Sequence, residues 1–231
     1  RLRIFYIFAH EMKTVITTIL LVLSVQGAVA QQAIEDIRKA YASVKEYIGM
    51  MSDDFPGEGI PPEYYHLHVS QMLPATGLHR EDIRLYFNDV EEEDEEEPRI
   101  YPLHYLRFAS TKYNYAAREF YEEYLYDEKG QVMFIYAINP DVGEDMMPYE
   151  LRLWYDGKRL LRFQAKRFEG KVEYLDLASL NNGTFREEYS GTTIPKQYRR
   201  EAEHLPERAK GFLAMFKSIE NCTYVGESDN Y

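Results

Sequence analysis

Between Arg118 and Phe168 the chain alternates with a period of two. Phe120, Glu122, Tyr124 and Tyr126 interleave with Tyr121, Glu123 and Leu125, the aromatic-rich alternation that a pleated strand favours. Asp127-Glu128-Lys129-Gly130 supplies turn chemistry, because glycine takes the positive φ of a short hairpin loop without a Cβ clash. Val132, Phe134, Tyr136 and Ile138 then return on alternate positions. A second hairpin sets Tyr149, Leu151, Leu153 and Tyr155 against Glu150, Arg152 and Trp154, turns at Asp156-Gly157, and continues through Leu161, Phe163 and Ala165. One face reads as apolar and the other as mixed, the pattern of an antiparallel sheet covered on one side.

Helical spacing appears at both ends. Ile34, Ile37, Tyr41, Val44 and Ile48 recur every three or four residues, and Gly49 is a plausible stop. Near the C-terminus Ala209, Phe212, Leu213, Phe216 and Ile219 form a second stripe. Thr193 is a candidate cap, Pro195 suits a first turn, and Pro206 is expected to break or kink the helix. Between the ends, strands are predicted at Tyr64–Met72, at Ile83–Phe87, at Ile100–Ala109 and around Val172–Leu177. Pro102 points to an edge position or a strand start. The expected fold class is α+β: a curved antiparallel meander of about six to eight strands, packed by an N-terminal helix and a C-terminal helical segment that seal its apolar side.

The N-terminal 30 residues read as a leader. Met12-Lys13 opens a charged region, Val15–Val25 is largely apolar, and Ala28-Val29-Ala30 matches the small-x-small pattern of a cleavage site. Residues 12–30 are thus expected to be a signal peptide, with 1–11 upstream of a natural start and 31–231 a single domain. The alternative is a retained anchor extended by Leu2, Ile4, Phe5, Ile7 and Phe8, against which His10, Glu11 and Lys13 interrupt the apolar stretch. After leader removal no stable membrane span is expected, and the location is periplasmic or extracellular.

Composition narrows the partners. The formal charge of −12 becomes −14 once Arg1, Arg3, Lys13 and Glu11 leave with the leader, and no basic stripe for nucleic acid is visible. The seven carboxylates of Glu91–Glu97 read as a solvated loop, lacking the spaced ligands and turn glycine of a calcium site. Twenty-one tyrosines accompany one tryptophan, suiting half-exposed sheet faces and binding surfaces alike. The lone Cys222 cannot form an internal disulfide and is expected to be a buried thiol. The glycosylation-like triplets at Asn182 and Asn221 read as chance matches.

Catalytic signatures are missing: no nucleophile elbow, zinc-protease pair, phosphate loop or cysteine–histidine cluster occurs. His66 and His68 share a strand face and could share a metal with His104, although polar positions on a solvated face explain them as well, and neither metal nor cofactor is expected. Glu122 and Glu150 could serve acid–base chemistry if they shared a cleft. The candidate ligand-contacting residues are Tyr64, His66, His68, His104, Tyr124 and Trp154, on a sheet face expected to be open. The leader followed by "YEEYLYDEKGQVMFIYA" and "YELRLWYDGKRLLRF" resembles exported, functionally uncharacterised proteins of gut-dwelling Gram-negative bacteria. The resemblance implies a periplasmic or outward-facing protein and assigns no functional residue. The expected role is a non-enzymatic domain that binds a small ligand or protein partner. The alternatives are a hydrolase-like enzyme with a His/carboxylate site and a structural envelope component.

Overall fold

A computed structural model describes residues 27–90, 103–139, 148–169, 180 and 183–222. The bulk of the expected leader, the acidic run Glu91–Glu97, Pro102, Met146, Met147 and the strand expected around Val172–Leu177 lie outside the described residues. The chain divides into two compact units, Arg1–Ala40 and Tyr41–Tyr231. In the first, residues 27–40 are helical, with side-chain bonds from Gln32 to Asp36 and from Arg38 to Glu35 across successive turns. The helix, α1, runs on to residue 50. No helix among the described residues is long and apolar enough to cross a membrane.

The second unit is built on one eight-stranded antiparallel sheet whose spatial order is its chain order. The strands are β1 (Tyr64–Leu73), β2 (Gly77–Asp89), β3 (His104–Tyr115), β4 (Arg118–Tyr126), β5 (Val132–Asn139), β6 (Tyr149–Asp156), β7 (Arg159–Glu169) and β8 (Thr184–Gly191). A 3-10 turn at Lys196–Tyr198 leads into helix α2, Arg199–Glu220. Both expected hairpins form, β4–β5 and β6–β7, and the α+β meander is as the alternation predicts. Four register shifts, at Tyr86/Phe87, Leu125/Tyr126, Trp154/Tyr155 and Ala165/Lys166, interrupt the ladders. Each such irregularity bends a strand and increases its local twist.

The bulges also decide which side chains face which way. On one face Leu85, Leu106, Tyr124, Tyr126, Ile135, Leu153 and Phe163 form the main core with Ala202, Leu205, Ala209, Phe212 and Phe216 of α2. On the other face Leu125, Phe108, Phe134 and Trp154 are equally buried. There, Tyr41 of α1 meets the Phe134 ring nearly edge-on at 4.9 Å and the Phe108 ring at 6.2 Å. Lys45 lies 5.7 Å from the centre of the Phe108 ring.

This corrects the expectation of two helices on one oily side and an open opposite face. From Tyr41 onward α1 covers the face that α2 does not. The reason is visible on β4: both parities carry large side chains, and tyrosine and glutamate are buried whenever their polar ends find partners.

Local expectations fare unevenly. Strand β3, expected from Ile100, starts at His104 and is internal to the sheet. Thr193 does not cap α2: its Oγ1 lies 2.7 Å from the Tyr189 hydroxyl, and Tyr198 stands at the helix N-terminus without a side-chain cap. Pro206 sits inside an unbroken helix. Strand β8, with the sequence TFREEYSG, escapes the alternation reading because it carries few apolar residues. Cys222 is exposed rather than buried.

A sheet buried on both sides should lose stability from either. Leu125→Ala and Leu153→Ala, on opposite faces, are each expected to lower the unfolding free energy by about 2–5 kcal/mol. Chemical denaturation measures both, and a negligible effect at Leu125 contradicts the second covered face.

Candidate functional site

Alternate hairpins of a meander turn at the same end of the sheet, so the β4–β5 and β6–β7 turns lie side by side. Asp127 organises the first: its Oδ1 accepts from the backbone N–H of Lys129 at 3.0 Å and of Gln131 at 2.7 Å. Gly130 adopts φ +75°, and a Cβ there would stand 2.9 Å from Leu213 Cδ2. The positive φ favours glycine here, and any Cβ would also make the Leu213 side chain shift. Gly157, at φ +57°, closes the second turn against the Gln131 side chain.

Above these turns Pro206, Ala209, Lys210 and Leu213 recur at the spacing that shares one helix face. They roof a cleft of about 400 Å³ whose other walls include Tyr126, Val132, Tyr155 and Lys158. That volume falls within the range of small-molecule sites, roughly 300–1,000 Å³. The lining is mainly apolar. Tyr126, at 1% exposure, donates its hydroxyl to the Ala209 carbonyl at 2.8 Å, so its ring is what meets the cavity. Tyr155 differs, since its hydroxyl has no hydrogen-bond partner among the described residues, and burial pushes its pKa up to about 12. Lys210 pairs with Glu207 at 2.6 Å, whereas Lys158 makes no ion pair among the described residues.

A second depression, about 510 Å³, is lined by residues including Arg80, Asp82, Lys112, Asn114 and Glu119. Two of its charges pair with each other, Lys112 with Glu119 at 3.2 Å, while Asp82 pairs with His66 and His68 of β1, which are not among its lining residues.

Buried carboxylates form a separate system. Glu122 accepts from Tyr113 at 2.8 Å, Tyr124 at 2.5 Å and Arg208 at 2.7 Å, and Arg208 also reaches Glu81 at 2.9 Å. On the opposite face Glu123 accepts from Tyr41, from Tyr121 at 2.6 Å and from Lys45 at 2.6 Å. Glu150, also on that face, is met by Tyr136 at 3.1 Å, Arg152 at 3.0 Å and Lys166 at 3.1 Å. Glu122 and Glu150 are therefore on opposite sides of the sheet and cannot act as a pair. Burial, followed by the charge of the neighbouring glutamate, raises the pKa of Tyr41, Tyr113, Tyr121, Tyr124 and Tyr136 well above that of a free phenol. Burial alone does so for Tyr126.

The residues expected to contact a ligand are only partly brought together. Tyr64, His66 and His68 line one face of edge strand β1. Tyr64 donates to Asp53 at 2.6 Å beneath the Arg84 guanidinium, while His66 and His68 converge on Asp82 at 3.4 and 2.9 Å. Hydrogen bonds from these histidines hold the Asp82 pKa below the usual carboxylate value. His104 points to the other face, against Phe87 and Glu220. Among the described residues no cluster of three or more His, Cys, Asp or Glu could hold a metal. Tyr124 (0% exposed) and Trp154 (2%) are buried rather than on an open face. The cleft residues Tyr126, Val132, Tyr155, Pro206 and Leu213 went unrecognised as a group. The two Asp/Gly turns marked their end of the sheet, but nothing in the chain placed α2 over it.

Comparison with known proteins finds no matching protein family, no matching curated protein and no matching solved structure.

Two outcomes are expected from this geometry. A raised tyrosine pKa contributes stability that is complete below the free-phenol value of about 10 and is lost as pH rises through the folded value. Stability should therefore hold across neutral pH and fall above about pH 10, with the buried tyrosines ionising together on unfolding in a phenolate-absorbance titration. Gly130→Ala, strained at positive φ and pressed on Leu213, should cost more than about 1 kcal/mol, as read by denaturation.

Proposed function

We propose that this chain is an exported, non-enzymatic binding domain whose ligand seats in the apolar cleft between α2 and the two hairpin turns. The observation that carries this reading is a preformed hollow of small-molecule size, mainly apolar, with a few polar groups at its wall. The reading as a binding domain rather than a hydrolase draws support from the buried carboxylates. Glu122 already accepts from two phenols and Arg208, Glu150 accepts from Tyr136 and is ion-paired with Arg152 and Lys166, and the two glutamates lie on opposite faces. Export rests on the leader pattern of residues 12–30.

Assembly through strand addition at β1, the edge strand among the described residues, is the weaker reading. That edge exposes Val69 and Met72 but also carries His66 and His68, and polar side chains on an edge discourage pairing with another chain.

The test is a titration of the isotope-labelled full chain with decanol, a neutral amphiphile, followed by backbone amide shifts. Shifts are expected to gather at Tyr126–Val132, at Tyr155–Lys158 and along Ala209–Leu213. Saturable binding that moves a different region, or none at all, removes the cleft as the site. Val132→Phe, which narrows the cavity without adding charge, should weaken the same binding.

A further inference from the structure

Given the reading of the cleft as a ligand site, the next question is the chemistry of the ligand. The walls supplied by Tyr126, Val132, Pro206, Ala209 and Leu213 offer a ligand little but apolar surface, because the Tyr126 hydroxyl is committed to the Ala209 carbonyl. The polar side chains at the wall are Tyr155, Lys158, Lys210 and Gln131, and the Gln131 amide already donates to Asp127 at 3.3 Å. The charged residues lining the cleft are both lysines, in a chain whose formal charge is −12. Lys210 is already paired with Glu207 at 2.6 Å. Lys158 has no partner among the described residues, and the Tyr155 hydroxyl is likewise uncommitted. An unused ammonium and an unused phenol beside an apolar hollow form a donor pair without an acceptor. A carboxylate is the acceptor that satisfies both.

We infer that the cleft takes a free, single-chain aliphatic carboxylate, with its hydrocarbon chain over Tyr126 and Leu213 and its head between the Tyr155 hydroxyl and the Lys158 ammonium. The tail supplies most of the affinity through apolar burial, and the head supplies selectivity over neutral and cationic analogues. The long-range field of an acidic chain disfavours an anion, so the selectivity must come from these two local donors. That makes it sensitive to their removal.

The experiment compares decanoate, decanol and decylammonium as ligands of the full chain by calorimetry, each below its micelle concentration, with Lys158→Gln and Tyr155→Phe as variants. Decanoate is expected to bind about 10-fold more tightly than decanol, the return of one or two charge-assisted hydrogen bonds. Each variant should reduce that preference, taken as the ratio of decanoate to decanol affinity on the same variant, by about 5-fold. Equal binding of decanoate and decanol, or preference for decylammonium, overturns the carboxylate assignment and leaves the cleft as the binding site. A decanoate preference that survives both variants also overturns it, because the head is then recognised elsewhere. Binding to anionic vesicles without binding to free decanoate overturns it in favour of a membrane surface. If none of the three amphiphiles shifts the amides of the two turns and α2, both the assignment and the cleft reading fall.

Discussion

Hydrogen bonding from tyrosine hydroxyls to buried carboxylates is the interaction on which this sheet depends. Strand β4 places Glu122 and Glu123 on opposite faces, at 5% and 2% exposure. An ionised carboxylate taken out of water without partners is prohibitively costly. Each is instead met by two phenols and one cation, and Glu150 by one phenol and two cations. Hydrogen bonds to a charged group contribute roughly 1.5–3 kcal/mol each, and the phenol ring adds apolar burial at the same time. The abundance of tyrosine follows: it is a side chain that can fill a core and solvate an anion there.

The same interaction ties the layers together. On one face Arg208 brings α2 to Glu122 and Glu81, with its guanidinium 4.8 Å from the Tyr113 ring centre. On the other, Tyr41 and Lys45 bring α1 to Glu123. Two adjacent glutamates thus anchor a helix to each side of one strand. Neither helix could shift along the sheet without uncovering a charge, and leaving one member of a buried ion pair alone is costlier than never having built the pair. Tyr65 and His104 make a comparable tie at the far end of α2, both reaching Glu220.

Where α2 is pinned determines where it leaves space. Its middle is held over β4 by Arg208 and by the Tyr126 hydroxyl on Ala209, and Leu213 rests directly on Gly130. The face carrying Pro206, Ala209, Lys210 and Leu213 then overhangs the two hairpin ends without filling the volume between them. The cleft follows from anchoring one helix on a sheet whose strands turn beneath it. Gly130 and Gly157, both at positive φ, close the two turns that line it.

The sequence by itself determined the meander. Alternation within each of the four segments between Phe120 and Ala165, with two Asp/Gly turns, gives the order and antiparallel pairing of the strands, because a slip of one residue would reverse every side chain of a segment. It also determined both helical stripes, whose period of 3.6 is local. It did not determine which face each helix takes. Tyr121 and Tyr124, or Glu122 and Glu123, are the same residue types on opposite sides, and their burial depends on partners such as Tyr41 and Arg208 that are 80 or more positions away. Single-residue bulges at positions such as Leu125/Tyr126 shift the parity of a strand without a compositional mark. For that reason the residues singled out by type separated onto two faces, while those lining the cleft met only through the docking of α2. Periodicity is written along the chain, but contacts between layers exist only once the chain is folded.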